Sequence, residues 1–214
     1  MQHTLAKPFD TATLLGFIDP ERKAVYFPEK QIIFSEGERS DSIFYIQRGT
    51  VKLTVTSKQG KEAIIGVFSR GDFFGESCIA SDQPVRLYNA VTLTEVRAVK
   101  IGRSAIIRLL LRGGNACYAF VTYLLDRNAR MSSDLVNNLM DSSEERLARA
   151  LFYLAQPGRI DSAAKVSQQT LAEMIGTTRQ RVNVLMKRFK KLGLIEYGHG
   201  LKVHTSLRSV FRNE

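Results

Sequence analysis

The stretch that most constrains the fold of this chain runs from residue 167 to residue 192, SQQTLAEMIGTTRQRVNVLMKRFKKL. The spacing of its apolar residues predicts two short helices joined by a turn. Ser167 is a suitable N-cap for the first helix, because its hydroxyl oxygen can accept a hydrogen bond from a backbone amide of the first turn. Gly176 can adopt the positive φ that ends a helix, so the turn is expected to be short and sharp.

The second helix of this pair separates an apolar stripe from a basic face. Thr177 or Thr178 can cap it, with Gln180 three residues after Thr177 as in a capping box. From residue 177 to residue 195 the chain carries six Lys or Arg and no Asp or Glu. A merely solvated helix usually mixes both signs into i,i+4 pairs, so the single sign favours a helix that enters the major groove of DNA. The apolar stripe contains Val182, Leu185, Met186, Phe189 and Leu192, and the basic face contains Arg179, Gln180, Asn183, Lys187, Lys190 and Lys191.

A short hairpin is predicted directly after the second helix. Gly193 and the apolar pair Leu194-Ile195 are followed by EYGHGLKV at residues 196–203, where glycines separate two short runs. A hairpin in this place would form a wing beside the helix pair.

The overall charge agrees with a polyanionic partner. The formal net charge is +10 and the isoelectric point is near 9.8, although a membrane surface or simple solubility could account for charge alone. Residues 1–140 hold 18 basic and 14 acidic residues (net +4), whereas residues 141–214 hold 13 and 7 (net +6). The excess is therefore concentrated in the C-terminal third, which contains the helix pair.

Composition disfavours several classes of protein. Hydrophobic residues make up 44% of the chain and charged residues 24%, which is ordinary for a folded soluble protein. Cys78 and Cys117 show no CxxC spacing and are not grouped with the histidines, so we expect no metal, haem or iron–sulfur site. The sequence has no leader pattern and no run of 18 apolar residues. We therefore expect a mature chain that starts at or near Met1, lies in the cytoplasm and has no membrane contact.

Residues 23–101 consist of short apolar runs separated by glycines, after a short helix predicted at 11–17. Even spacing with glycine turns favours a small antiparallel roll or barrel. Such a roll can be a structural module, or it can hold a ligand in its mouth. The predicted strands are residues 31–34, 43–47, 51–56, 63–68 and 96–101, with turns at Gly37, Gly49, Gly60, Gly71 and Gly75.

The most informative segment of the roll is GDFFGESCI at residues 71–79, followed by Arg86. A glycine lets backbone amides approach an anion, a carboxylate can accept from a sugar hydroxyl, and an arginine can hold two phosphate oxygens. Together Gly75, Glu76 and Arg86 would suit a nucleotide monophosphate. The same residues could equally form a turn with a surface ion pair.

A helix is predicted at residues 103–111, and a longer one follows the break at 112–114. Residues 115–140 contain no proline or glycine. Their apolar positions step by four and three alternately over about three heptads, as in a coiled coil, so two copies of the chain could pack here. The alternative is an intramolecular core helix with a wide apolar face. Phe120 and Tyr123 lie off this seam and are expected to cover the roll. The predicted seam contains Cys117, Val121, Leu124, Asn128, Met131, Leu135 and Asn138.

A domain boundary is predicted at residues 141–145, DSSEE. Ser142, with Glu145 three residues later, matches a capping box that starts a new helix, and a hinge fits there. That helix has apolar residues from Leu147 to Leu154 and is expected to end before Pro157. The predicted parts are a roll domain at 1–114, a dimerisation helix at 115–140 and a winged DNA-binding domain at 141–214.

Taken in order, the roll, the long helix, the hinge and the winged helix pair resemble the Crp/Fnr family of bacterial transcription regulators over nearly the whole chain. The resemblance implies an α+β fold with an N-terminal antiparallel β-roll of the cyclic nucleotide-binding jelly-roll type, a long dimerisation helix and a C-terminal winged helix-turn-helix. It also implies a homodimer that binds a palindromic double-stranded DNA operator and contacts RNA polymerase. The residues that carry the resemblance are Gly37-Glu38, Gly49, Gly71-Asp72, Gly75-Glu76, Arg86, Leu171-Ala172 and residues 176–182.

The resemblance implies that Gly75, Glu76 and Arg86 hold the ribose and cyclic phosphate of cyclic AMP or cyclic GMP. Neighbouring residues depart from the family pattern: Leu87-Tyr88 stand where Ser-Ala or a close equivalent is preferred, and Cys78 replaces a small residue. Two adjacent hydroxyl residues that approach the adenine appear here as Met and Ser. An effector-independent regulator of the same family is therefore the alternative. The expected effector positions are Gly75, Glu76, Ser77, Arg86, Leu87, Met131 and Ser132.

The resemblance assigns the base-contacting positions of the second helix to Arg179, Gln180, Asn183 and Val184. Arginine can bind guanine O6 and N7, and Gln or Asn can bind adenine N6 and N7. Val184 departs from the arginine of the best-known members, so the half-site should differ from theirs. The other positions, such as Lys187, are expected to bind phosphates and to position the helix. The predicted DNA-binding residues are Gln168, Gln169, Thr178, Arg179, Gln180, Arg181, Asn183, Val184 and Lys187.

Two other functions are weighed against a DNA-binding regulator. A small-ligand-binding regulatory module could use its basic tail to contact an acidic protein. An enzyme is disfavoured, because the sequence shows no nucleophile with a base, no metal-ligand spacing and no Walker-type loop. We therefore expect no catalytic residues. The oxygen-sensing branch of the family needs an N-terminal cysteine cluster, and the residues before Gln31 contain no cysteine.

Overall fold

The computed structural model describes residues 23–60, 62–80, 84–156, 166–197 and 201–211. The predicted helix at 11–17 and the tip of the predicted wing lie outside the described residues, whereas the helix predicted to end before Pro157 ends at Leu154, as expected. Within these ranges the N-terminal part is built of β-strands and the C-terminal part mostly of helices. This division agrees with the predicted α+β fold.

Two antiparallel four-stranded sheets form the N-terminal roll. The first has the strand order β1-β8-β3-β6 and the second has the order β2-β7-β4-β5. Buried aromatic residues fill the space between them: the ring centroids of Phe44 and Phe74 are 5.1 Å apart, and those of Phe34 and Phe74 are 5.9 Å apart. The strands are β1 Lys23–Phe27, β2 Ile32–Phe34, β3 Ser42–Arg48, β4 Val51–Thr56, β5 Glu62–Phe68, β6 Phe73–Phe74, β7 Asn89–Thr92 and β8 Val96–Gly102.

The five predicted strands are confirmed within one residue at each end, whereas β1, β6 and β7 were not predicted. Gly49 explains the tight turn between β3 and β4. Its φ is +91°, and a Cβ atom at this position would collide with the backbone oxygen of Glu95. Any residue other than glycine would therefore strain the backbone here, and its Cβ atom would overlap the Glu95 oxygen.

Five helices and a short hairpin make up the rest of the described residues. The long helix is one residue longer at its start than predicted, and its end is as predicted. The helices are α1 Arg103–Arg112, α2 Gly114–Met140, α3 Ser143–Leu154, α4 Gln168–Met174 and α5 Arg179–Lys191; the hairpin is β9 Ile195–Tyr197 with β10 Leu201–Val203; and 3₁₀ turns lie at Glu76–Ile79 and Thr205–Val210.

The first half of α2 packs on the roll. Phe120 and Tyr123 are buried against Phe73, with ring centroids 5.7 Å and 5.3 Å from the Phe73 ring. The Tyr123 hydroxyl also accepts a hydrogen bond of 2.8 Å from the backbone amide of Phe73. The prediction that Phe120 and Tyr123 cover the roll is confirmed, and these contacts fix the position of the long helix.

A separate core forms the C-terminal domain, with Leu147, Leu151, Val182 and Phe189 fully buried. Its helices begin where the capping residues predict. The Ser142 hydroxyl accepts from the Glu145 amide while the Glu145 carboxylate accepts from the Ser142 amide, so the capping box is confirmed. The Ser167 hydroxyl caps α4 by accepting from the amide three residues later at 3.0 Å.

One of the two predicted cap residues, Thr178, caps α5, and its hydroxyl accepts from the Arg181 amide. Two other details of the predicted helix pair are wrong. Because Thr177 lies before the cap, no capping box forms between Thr177 and Gln180. Leu192 is 58% exposed and does not join the buried stripe. It is the C-cap residue that follows α5, beyond the last buried residue of the stripe, Phe189.

The C-terminal domain also contacts the roll. Lys52 Nζ on β4 lies 2.9 Å from the carboxylate of Glu62 on β5 and 3.4 Å from the carboxylate of Glu173 on α4. The hydroxyl of Tyr153 on α3 donates to the backbone oxygen of Val67 on β5 at 3.2 Å. The second sheet of the roll therefore meets both α3 and α4.

Replacing Tyr123 with Phe tests the docking of α2. The substitution removes the acceptor of a buried backbone amide, so we expect the free energy of unfolding to fall by about 1–3 kcal/mol. Urea unfolding followed by circular dichroism measures the change. Tyr118→Phe on the same helix is the matched control, because Tyr118 is 76% exposed and should show almost no effect. Equal losses for the two variants would contradict this account of the helix position.

Candidate nucleic-acid interface and effector pocket

Helix α5 presents a basic, polar face to solvent. Val182, Leu185, Met186 and Phe189 are buried against the C-terminal core, as predicted. This leaves the opposite side of the helix free of contacts with the core. The exposed residues of α5 and its cap are Thr178, Arg179, Gln180, Arg181, Val184, Lys187, Arg188, Lys190 and Lys191, and Asn183 is half-buried.

Two arginines of α5 hold the helix against α3 instead of extending freely. Arg181 Nε donates to the Ser143 hydroxyl at 3.2 Å, and Arg188 Nη1 lies 2.8 Å from the Glu144 carboxylate. Because Ser143 and Glu144 begin α3, these bonds set the orientation of α5 relative to its neighbour. Arg181 remains a predicted DNA-binding residue, but in this arrangement one of its donors is already used.

The predicted contacts on α4 lie at its first turn. Gln168 is half-buried and Gln169 is exposed. The Gln169 side-chain amide donates to the Glu173 carboxylate at 2.9 Å, and Glu173 in turn pairs with Lys52 of the roll. The hydrogen bond to Glu173 fixes the direction of the Gln169 side chain.

The predicted wing has its two strands beside this helix pair. Antiparallel pairing joins Ile195 to Val203 and Tyr197 to Leu201. Ile195 is buried in the C-terminal core, so the hairpin is anchored at its base. Lys202 on β10 is exposed, and its Nζ atom lies 3.8 Å from the Glu196 carboxylate on β9.

In the roll, Arg86 is buried and contacts Gly75, Ser42 and Phe34. It is 4% exposed, and its Nη1 and Nη2 atoms donate to the Gly75 backbone oxygen at 3.1 Å and the Ser42 hydroxyl at 3.2 Å. The guanidinium carbon lies 4.0 Å from the centroid of the Phe34 ring. Burial lowers the pKa of this guanidinium from its ordinary value, although the group stays charged at neutral pH.

Gly75 is required by the close approach of Arg86. Its φ is +83°, and a Cβ atom at this position would lie 2.5 Å from Arg86 Nη1. The glycine therefore allows the guanidinium to reach the backbone at the start of the 3₁₀ turn. The structure thus places Arg86 against Gly75, and Glu76 and Ser77 follow Gly75 in the 3₁₀ turn. Their assignment to an effector site stays a prediction.

Glu76 faces an arginine that the sequence analysis did not identify. Arg127 on α2 is 9% exposed, and its Nη1 atom lies 3.0 Å from the Glu76 carboxylate and 3.3 Å from the Phe73 backbone oxygen. Burial alone would lower the pKa of Arg127, but the ion pair with Glu76 raises it above its ordinary value. The available signal was its spacing: Arg127 falls on the helix face of Phe120 and Tyr123, where a charged residue needs a partner.

Tyr88 adds a third group to this cluster. Its hydroxyl donates to the Glu76 carboxylate at 3.4 Å, and burial, together with the nearby Glu76, raises its pKa to about 12. The phenol is therefore neutral and acts as a donor at physiological pH. Where the family pattern has a small residue, this chain thus places an aromatic ring between Phe34 and Glu76.

Several buried polar atoms of this cluster have no hydrogen-bond partner among the described residues. They are Glu76 Oε2, Ser77 Oγ, Arg86 Nε and Arg127 Nε. Unsatisfied buried groups are rare in folded proteins and often mark a place where a ligand or ion binds. Two guanidinium groups, one carboxylate and one hydroxyl suit a ligand that carries both a phosphate and sugar hydroxyls.

The side chains of the remaining predicted effector positions are exposed and do not belong to the buried cluster. Leu87, between Arg86 and Tyr88 in the chain, is 59% exposed, and Met131 and Ser132 are exposed on α2, beyond Arg127. Their assignment to the effector site stays a prediction.

The second half of α2 has an exposed apolar face. Of the predicted seam residues, Val121, Asn128, Met131, Leu135 and Asn138 are exposed, and Leu124 packs partly against the core under α2. Cys117 is half-buried. Further exposed apolar side chains lie on this helix at Tyr118, Leu125, Val136, Leu139 and Met140.

Other kinds of site were sought in the described parts of the chain. Residues 23–60, 62–80, 84–156, 166–197 and 201–211 contain no group of three His, Cys, Asp or Glu side chains placed to hold a metal ion. None of the described helices is long and apolar enough to cross a membrane. Cys78 is fully buried, and burial raises the pKa of its thiol.

Two known domain families match this chain, one over the roll and one over the C-terminal domain. The profile of the cyclic nucleotide-binding domain matches residues 24–112, which include the roll and α1. The profile of the Crp-like helix-turn-helix domain matches residues 145–206, which include α3 from its third residue, α4, α5 and the hairpin.

Relatives of the whole chain are bacterial transcription regulators. A CRP-like cAMP-activated global transcriptional regulator of Mycobacterium tuberculosis is 29% identical over 187 residues, covering 85% of this chain and 83% of the relative. The cAMP-activated global transcriptional regulator CRP of Salmonella typhimurium is 26% identical and covers 92% of this chain and 95% of the relative. The solved structure of FixK2 from Bradyrhizobium japonicum has the same fold, with a TM-score of 0.76 at 15% identity over 90% of this chain and 98% of FixK2.

Proposed function

This chain belongs to the Crp/Fnr family of transcription regulators, and we propose that it is a homodimer that binds a palindromic DNA operator through helix α5. The observation that carries the proposal is the exposed face of α5, which combines several Lys and Arg with no acidic residue. Two such helices would enter successive major grooves about 34 Å apart. We also propose domain boundaries after residues 114 and 140, which would separate the roll, the dimerisation helix and the winged domain.

Within this proposal, the residues of the helix pair divide into two roles. Arg179, Gln180, Asn183 and Val184 are exposed or half-buried on the first two turns of α5 and face the bases. The Thr178 cap, Gln168, Gln169, Arg181 and Lys187 contact or approach phosphates, which position the helix without specifying sequence.

Dependence of DNA affinity on salt tests the interface. The logarithm of the association constant should fall linearly with the logarithm of salt concentration, because each neutralised phosphate releases counterions. Lys187→Ala should reduce the magnitude of the slope by about 1 for each protomer in a gel-shift series. Lys30→Ala is the matched control, because Lys30 is an exposed lysine of the roll. Equal slopes for wild type and Lys187→Ala would contradict this placement of α5, and absence of sequence-specific binding would contradict the proposed function.

The second half of α2 supports the proposed dimer. Its exposed apolar residues, among them Leu135 and Leu139, would be covered by the same helix of a partner chain. Asn128, at a central position of the predicted seam, would fix the register of the two helices.

Leu135→Asp tests this seam by placing an unpaired carboxylate in it. We expect the dimer dissociation constant, measured by sedimentation equilibrium, to rise by about two to three orders of magnitude. Ser133→Asp is the control, because Ser133 is exposed on the opposite side of the same helix. A wild-type chain that stays monomeric at tens of micromolar would refute the dimer.

A cyclic nucleotide is the effector class that we propose for the roll. Arg86 and Arg127 would approach the phosphate, Glu76 would accept from a ribose hydroxyl, and Ser77 would supply a further hydrogen bond. The unpartnered buried atoms of these residues support this assignment, and the relatives named above are described as cAMP-activated. The alternative is an effector-independent regulator, favoured by Tyr88, which already donates to Glu76.

Isothermal titration calorimetry with cyclic AMP and cyclic GMP separates these two possibilities. We expect saturable binding of one nucleotide and its loss in Arg86→Ala. Because Arg86 is buried, Ser77→Ala provides a milder variant, which should bind about fivefold more weakly through loss of one hydrogen bond. Ser104→Ala, an exposed serine on α1, is the control. No binding of either nucleotide by the folded wild-type protein would favour the effector-independent alternative.

The wider proposal includes contact with RNA polymerase and a cytoplasmic location, as expected of a bacterial regulator of transcription. Catalytic activity forms no part of it. The similarity to named transcription regulators supports this conclusion over the small-ligand module whose basic tail contacts an acidic protein.

A further inference from the structure

Val184 is the one apolar side chain on the exposed face of α5. It is 57% exposed, whereas the other apolar residues within the helix are buried. Its neighbours on the same face are Gln180, four residues earlier, and Lys187, three residues later, and both are exposed. Valine is a weaker helix former than Ala, Gln or Lys, so an exposed valine adds little to the stability of the helix itself.

The position of Val184 along the helix would place its side chain against base edges in a DNA complex. It is the sixth residue of α5, which begins at Arg179, so it lies in the N-terminal half of the helix. That half of a reading helix contacts base edges in the major groove. Arg181, three residues earlier, and Arg188, four residues later, flank Val184 on the side toward α3, where they bind Ser143 and Glu144. Gln180 and Lys187 flank it on the side away from α3.

Valine has no hydrogen-bond donor or acceptor in its side chain, so it cannot distinguish bases by their polar groups. The major groove presents one apolar group of its own, the C5-methyl group of thymine. Placing valine against a polar base edge would remove that edge from water without a replacement hydrogen bond. Contact with a methyl group, in contrast, buries apolar surface on both sides.

We propose that Val184 reads the C5-methyl group of a thymine in each half-site, and this inference rests on the proposed DNA-binding function. Burying one methyl group changes affinity by about fourfold. Removing the methyl group from both half-sites of the palindrome should therefore weaken binding by about fifteenfold.

Replacement of thymine by deoxyuridine tests the proposal, because it removes the methyl group and leaves the hydrogen-bonding edges unchanged. The full-length protein first selects its operator from a pool of random duplexes. Each thymine of the selected site is then replaced by deoxyuridine in both half-sites, and the dissociation constants of wild type and Val184→Ala are measured by fluorescence anisotropy.

Wild type should show one thymine position with a loss of about fifteenfold, and Val184→Ala should show little loss at that position. Alanine is a good helix former and Val184 is exposed, so this variant should fold. Leu192→Ala is the matched control: Leu192 is 58% exposed at the other end of the helix, and its replacement should leave the deoxyuridine effect unchanged.

Three results would overturn the inference alone: a selected operator without thymine in its half-sites, no loss at any deoxyuridine position, or an equal loss in wild type and Val184→Ala. Failure to enrich any sequence from the pool would instead overturn the proposed function, and the inference with it.

Discussion

The attachment of helix α2 to the roll is the constraint on which the rest of the structure depends. Phe120 and Tyr123 fill the space beside Phe73, and Arg127 continues the same helix face into the polar cluster around Glu76. One face of the helix is therefore committed to its own roll, and its other side is free for a partner. A single helix thus borders the polar cluster around Glu76 along one half and carries the exposed apolar face along the other.

The local elements of the fold could be predicted from sequence to a large extent. Ser142 and Ser167 identified helix starts through their hydroxyl groups, and the apolar periodicity of α2 and α5 identified their buried faces. The strands that were missed have weak local patterns: β6 contains only Phe73 and Phe74, and β7 is four residues long. Their place in the sheets depends on pairing with distant strands, such as that of Phe74 with Phe44.

The candidate site could be predicted only in part. Gly75, Glu76 and Arg86 are close in sequence and carry a recognisable combination of groups, so they could be predicted as one site before the structure was known. Arg127 could not be assigned in this way, because its partner lies 51 positions earlier in the chain and only tertiary packing brings the two together. For the same reason the hydroxyl of Ser42, which fixes Arg86, gave no signal in the sequence.

The contact between the roll and the winged domain has an electrostatic consequence of its own. Lys52 is shared between a carboxylate of its own sheet and one of α4, and Glu173 also accepts from Gln169 of its own helix. If the two domains part, Lys52 keeps Glu62 and Glu173 keeps Gln169, so neither charge is left isolated in an apolar environment. The polar cost of separating the winged domain from the roll therefore lies in one shared ion pair and in the hydrogen bond between Tyr153 and the Val67 backbone oxygen.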